Sequence, residues 1–157
     1  MKQLNLVLFF FFWATLNSFA QLKTHSFEEA EKLEQQQPKP IFVFVHTSWC
    51  KYCKMMENST FKNPEVVQLL NDNFYFVSLD AESKEPIIIK NRTFTYKPKG
   101  KNTGIHELAE ELATVDGNIS YPTFSILDKN NAILLQISEF TDAKTMIVLL
   151  KEAADFH

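Results

Sequence analysis

The only two cysteines of the 157-residue chain are separated by two residues, in Trp49-Cys50-Lys51-Tyr52-Cys53-Lys54. An apolar, β-rich run from Ile41 to Val45 leads into them, and a helix-compatible stretch from Cys53 to Glu57 follows. That order sets one sulfur at a helix N-terminus and the other one turn further on. Unsatisfied backbone N–H groups and the helix dipole at such an end favour thiolate over thiol. Two sulfurs held this way can exchange with disulfides in other proteins. Two plainer uses of the pair compete with this one. A structural bridge from Cys50 to Cys53 would close a very short loop and remove little entropy from the unfolded chain. A zinc site normally wants four ligands, and only His25, His46, His106 and His157 could supplement the two thiolates.

The elements around the pair must position it. Ser26-Phe-Glu-Glu29 reads as a capping box, opening a helix that turns Phe27, Ala30 and Leu33 inward and ends before Pro38. Ile41 to Val45 and Phe74 to Leu79 have the continuous apolar character of central strands covered on both faces. Between them, Asn63-Pro64 is an N-cap followed by a proline at the first helical position, with Val66, Val67, Leu69 and Leu70 as the apolar side. Residues 81–104 are the least regular part. Pro86 to Lys90 and Thr93 to Tyr96 flank Asn91-Arg92 and predict an inserted β-hairpin. Lys97 to Gly104 reads as a basic, turn-rich connector, with its lysines in solvent. Ile105, Leu108, Ala109 and Leu112 have helical spacing. Thr123–Leu127 and Ala132–Ile137 are strands around the turn Asp128 to Asn131. Thr141 or Asp142 caps a last helix carrying Met146, Ile147, Leu149 and Leu150.

The chain's bounds narrow the setting. Lys2 precedes the apolar run Leu6 to Trp13, and the small residues Ser18 and Ala20 offer a cut before Gln21, so residues 1–20 read as a signal peptide and 21–157 as one domain. The apolar run is shorter than the roughly 20 residues a membrane span needs. Removing residues 1–20 takes away Lys2 and no acid, moving the formal charge from −3 to −4. A mildly acidic domain without a basic block gives no support for nucleic-acid binding. Met55 and Met56 read as one core and one partly exposed side chain, with no haem or copper role. Asn-x-Ser/Thr triplets begin at Asn58, Asn91 and Asn118 and would matter only in a eukaryotic secretory pathway.

Parallel early strands joined by helices, then an antiparallel pair, imply an α/β fold whose mixed central sheet has helices on both faces. That order, with Trp49-Cys-x-x-Cys53 at the first strand-to-helix turn and Tyr121-Pro122-Thr123 before the penultimate strand, resembles the thioredoxin superfamily. Within it the chain is most similar to exported bacterial thioredoxin-like proteins, over about residues 26–154. The resemblance implies a thioredoxin fold carrying the inserted hairpin, and a cis-proline at Pro122 that faces the redox pair and exposes the Tyr121 backbone to a β-like substrate segment. Cys50, opening the helix, would be the attacking sulfur, with Lys51 and Lys54 adding positive charge; Cys53 would resolve the mixed disulfide. Trp49, Lys51, Tyr52, Tyr121 and Pro122 would meet the substrate.

One departure concerns proton transfer. Many thioredoxins place a buried aspartate six residues before the first motif cysteine, where this chain has Phe44. Water, Glu57 or His46 would have to move the Cys53 proton. The dipeptide Lys51-Tyr52 stands where many thioredoxins have Gly-Pro, and its cation should make the pair more oxidising by stabilising the reduced form. The expectation is an exported, periplasmic, monomeric thiol–disulfide oxidoreductase with no cofactor beyond the Cys50–Cys53 disulfide. It would act on disulfides of exported proteins and draw electrons from a soluble or membrane-bound dithiol donor. The competing class is a non-catalytic thioredoxin-like binding module that uses the Trp49/Pro122 surface and the hairpin.

Overall fold

A computed structural model describes residues 21–154; the signal-peptide reading of residues 1–20 lies outside them. The centre is a five-stranded mixed sheet in the order β1-β3-β2-β10-β11, built from β1 (Thr24–His25), β2 (Ile41–His46), β3 (Tyr75–Asp80), β10 (Thr123–Leu127) and β11 (Ile133–Ile137). β1 and β2 run parallel to β3, whereas β10 runs antiparallel to both β2 and β11. Among the described residues, no helix is long and apolar enough to cross a membrane.

Alternation along β2 divides the core. Ile41, Val43 and Val45 face one side with Tyr75, Val77 and Leu79, and there meet α1 (Phe27–Gln36) and α4 (Glu107–Ala113). Phe42 and Phe44 face the other side with Phe74, Phe76 and Phe124, under α2 (Lys51–Asn58), α3 (Pro64–Asn73) and α5 (Ala143–Ala154). The helix starts follow their local chemistry. Ser26 and Glu29 form the reciprocal capping box of α1. The Asn63 side chain accepts from the Glu65 and Val66 amides ahead of α3, with Pro64 at its first turn. The Asp142 carboxylate accepts from the Thr145 amide at 2.8 Å as α5 begins.

The inserted region contains the expected hairpin, β4 (Ile87–Ile89) against β5 (Arg92–Phe94), but its turn falls one residue earlier, at Lys90-Asn91. Both turn residues have positive φ, 45° and 67°, as a two-residue hairpin turn that follows strand twist requires. Residues 97–104 are not a plain connector. They belong to a second hairpin, β6 (Tyr96–Pro98) with β7 (Gly104–His106), and Lys97 and Lys99 reach Glu107 and Glu110 on α4 at 3.5 and 2.8 Å. Gly104 is required there, since a Cβ would sit 2.4 Å from the Lys97 carbonyl oxygen. Ile105 accordingly lies on β7 and not on the helix. A third hairpin, β8 (Thr114–Val115) with β9 (Asn118–Ile119), turns at Asp116-Gly117, both at positive φ.

His106 secures this region from within. It is fully buried, its Nδ1 accepts from the Leu108 amide at 3.3 Å, and its Nε2–H therefore donates to the Glu85 carbonyl at 3.2 Å. Its own amide donates to the Ala81 carbonyl. Burial holds its pKa below the ordinary value, so the ring is neutral at pH 7.

Candidate active site

β2 ends at His46, and a tight turn, closed by the Cys50 amide on the Thr47 carbonyl at 3.3 Å, delivers Cys50 to the head of α2. Cys50 is the N-cap of that helix. Its Sγ accepts from the Cys53 amide at 3.1 Å, the position that a serine or aspartate oxygen fills in an ordinary cap. The two sulfurs are bonded to each other, with Cα atoms 5.3 Å apart. Cys50 retains 5% of its surface and Cys53 none, so a visiting sulfur can approach only the first. No group of three or more His, Cys, Asp or Glu side chains that could hold a metal ion occurs among the described residues.

Around this pair the surface is apolar and open. Trp49 is 64% exposed and Tyr52 59%. The Trp49 ring stands edge-on to Tyr121 with centroids 6.1 Å apart, while its indole N–H donates to Glu82 at 3.2 Å. Tyr52 lies 6.3 Å from the Phe140 ring on the opposite flank. Met55 is half-exposed and Met56 fully buried. Lys51 and Lys54 are both exposed.

The Tyr121–Pro122 peptide is cis. Thr123 pairs with Val45, so Pro122 stands at the end of β10 that adjoins the exit of β2, the same end of the sheet as Cys50. The Tyr121 phenol is pushed up to about 12, chiefly by burial, with the Glu82 and Asp80 carboxylates adding to the shift. It is a neutral packing group at every physiological pH.

Phe44 is buried in the same hydrophobic cluster as both cysteines. Its ring packs on Phe61 at 4.9 Å and stacks on His46 at 5.4 Å. The two proton-carrying candidates come together: His46 Nδ1 is 3.9 Å from Glu57 Oε1, and His46 Nε2 is 2.9 Å from Ser78 Oγ. Sequence reading missed Glu82, Phe140 and Ser78 as neighbours of the site. Each lies 25 or more residues beyond Cys53, and only strand register and helix docking bring them in.

The chain belongs to the thioredoxin-like family, whose profile matches residues 22–129. Over 60 residues it is 40% identical to "Spermatogenesis-associated protein 20" of Mus musculus, a match covering 38% of this chain and 8% of that protein. The chain thus spans less than a tenth of the curated relatives it first matches. Its fold is similar to that of a "DsbH Oxidoreductase" (TM-score 0.61, 22% identity, 88% of each chain). It is also similar to a thioredoxin from Thermus thermophilus (TM-score 0.61, 20% identity, 87% of this chain and 89% of that one). At these identities the structural likeness establishes the thioredoxin fold.

Proposed function

We propose that this protein is a thiol–disulfide oxidoreductase acting on disulfides of exported proteins, with Cys50 as nucleophile and Cys53 as resolving thiol. One observation carries the reading: the Cys50 sulfur occupies the N-cap of α2, bonded to a partner one turn deeper, on a surface where Trp49 and Tyr52 are exposed. In the reduced protein, the cap amides and the helix dipole stabilise a Cys50 thiolate. That thiolate attacks a substrate disulfide, forming a mixed disulfide and expelling one substrate thiolate. Cys53 then attacks Cys50 Sγ, closes the intramolecular disulfide and releases the second substrate thiolate. Two electrons pass to the substrate, and a dithiol donor restores the Cys50/Cys53 pair.

Trp49, Tyr121 and Pro122 form the docking edge, where a substrate strand pairs with the Tyr121 backbone; Lys51 and Tyr52 flank it. The signal-like pattern of residues 1–20 supports an exported, periplasmic setting, and the thioredoxin-like family supports the chemistry. The exposed Trp49–Tyr52–Met55 surface also favours a second reading, in which the domain docks a protein partner without turnover.

Trapping separates the two. Cys53→Ser is expected to accumulate mixed disulfides through Cys50, read as reducible adducts by mass spectrometry, and Cys50→Ser to accumulate none. A Cys53→Ser protein that traps nothing, together with partner binding that survives loss of both cysteines, would favour the binding module.

A further inference from the structure

The two flanks of the redox site carry opposite charge. On one, the exposed side of α2 presents Lys51, Tyr52, Lys54 and Met55. Lys51 follows Cys50 directly, and the Lys54 amide donates to the Cys50 carbonyl at 3.2 Å. A three-residue spacing puts both lysines on one side of the helix, and their charge adds to the positive end of its dipole. Neither forms an ion pair among the described residues. The carboxylates on this flank are Glu57, which faces His46 at 3.9 Å, and Glu139 and Asp142 around Phe140, the latter held by the Thr145 amide. Closest to Cys50 along the helix are the two cations.

The other flank is acidic. Asp80 ends β3, and the Glu82 carboxylate accepts from the Trp49 indole N–H at 3.2 Å. Asp80 Oδ1 accepts from the Glu82 amide at 3.0 Å, which fixes the turn between them. Their charge reaches Tyr121, whose phenol is pushed up first by burial and then by Glu82, Asp80 and Glu110. Neither Asp80 nor Glu82 is in an ion pair among the described residues. Lys84, Lys97 and Lys99 of the insertion are turned to other partners, Lys84 over the Tyr96 ring and the other two onto Glu107 and Glu110.

We propose that the site selects a dipolar substrate segment. Its cysteine is bordered by acidic residues on the side that meets Lys51 and Lys54, and by basic residues on the side that meets Glu82 and Asp80. The inference rests on the oxidoreductase reading and deepens it by naming the substrate class. Opposite potentials across one cleft fix the direction in which a chain lies. They penalise the reversed chain, because like charges then meet at both ends. The chemistry is the thiol exchange already set out; the charges decide which segment reaches Cys50.

The test uses the reduced full-length protein and two peptides of identical composition, each with one central cysteine disulfide-linked to 2-nitro-5-thiobenzoate. One peptide carries two glutamates before the cysteine and two lysines after it; the other carries them in reverse. The Cys50 thiolate attacks the peptide sulfur, the bond to the aryl sulfur breaks, and the coloured aryl thiolate leaves with the electron pair. Each rate is divided by the rate with free dithiothreitol, which removes differences in peptide reactivity. Equal net charge cancels general attraction and any change in Cys50 itself, so the ratio of the two rates reads the cleft. At low ionic strength the wild type should prefer one order by at least about fivefold, the sum of several exposed charge contacts. The ratio should fall toward one at about 1 M salt, where the Debye length is about 3 Å. Lys51→Glu with Lys54→Glu should shrink the preference, and adding Glu82→Lys should invert it. Glu82→Gln keeps an acceptor for the Trp49 indole and should still lower the ratio, whereas a role in holding Trp49 alone would leave it unchanged. Equal rates for the two orders, or a preference that neither salt nor these variants move, overturns the dipolar cleft and leaves the oxidoreductase reading intact. A wild-type protein that releases the aryl thiolate from neither peptide overturns both.

Discussion

The two faces of the sheet are built from different materials. Under α2, α3 and α5 lies an aromatic mass in which Phe42 stacks on Phe76 and Phe124 at 5.7 and 5.1 Å and meets Phe61 and Phe74 edge-on. The other face is mainly aliphatic, with Phe27, Tyr75 and Phe94 as its buried rings, and is completed by the inserted hairpins, which contribute Ile89, Phe94 and Ile105. Much of the hairpins' attachment is polar: the Ile88 and Lys90 amides donate to Glu28 and Glu31 on α1, and His106 ties β7 to Glu85. Close-packed rings tolerate little movement. The redox pair therefore rests on the aromatic face, while the insertion completes the other face and reaches the site through the Glu82 contact to Trp49.

The largest expected effect is on chemistry: reduction of insulin by dithiothreitol should show catalysis with the wild-type protein and none with Cys50→Ser or Cys53→Ser. Next is the packing contrast. Phe42→Ala should cost about 3–5 kcal/mol and abolish catalysis with it. Ile89→Ala should fall near the lower end of the roughly 2–5 kcal/mol range, because the hairpin can settle onto α1, and should leave disulfide reduction intact. Urea midpoints paired with activity check both, and equal costs at the two sites would erase the contrast.

A smaller effect concerns pH. His106 has a folded pKa below its unfolded value, so between the two the unfolded chain binds more protons and stability falls as pH falls. The stability linked to neutral His106 is complete above about pH 6.5, the unfolded value, and drains away on acidification toward the lowered folded pKa. Amide exchange in β6–β7 should accelerate over that window while β2 stays protected; His106→Gln should flatten the response. Smallest is the redox tuning. Lys51→Gln, which removes one charge, should lower the Cys50/Cys53 potential by about 5–20 mV. That follows from about 0.3–1 kcal/mol for a charge near a helix end and about 1.4 kcal/mol per 30 mV.

Elements whose signals are local were legible in the sequence: the Ser26/Glu29 capping box, Asn63-Pro64, and the buried runs of β2 and β3. Legibility failed where two periodicities fit the same residues. Ile105 matches the helical spacing of Leu108 and Leu112, yet the β6 pairing and the His106 cap place it on a strand. The third hairpin carries an Asp116-Gly117 turn signal, but its strands are only two residues each, too short to alternate. At the site, Cys50 and Cys53 stood out because their chemistry is carried by their own spacing. The contacts of Trp49 with Glu82, of Tyr52 with Phe140 and of His46 with Ser78 depend on tertiary packing and leave no local trace.

The central claim is that the head of α2 holds Cys50 as a reachable thiolate. Titration of the reduced protein by thiolate absorbance near 240 nm, with Cys53→Ser to isolate Cys50, tests it most directly. A Cys50 midpoint well below the free-thiol value of about 8.5 is the predicted result. A midpoint at or above that value would contradict it.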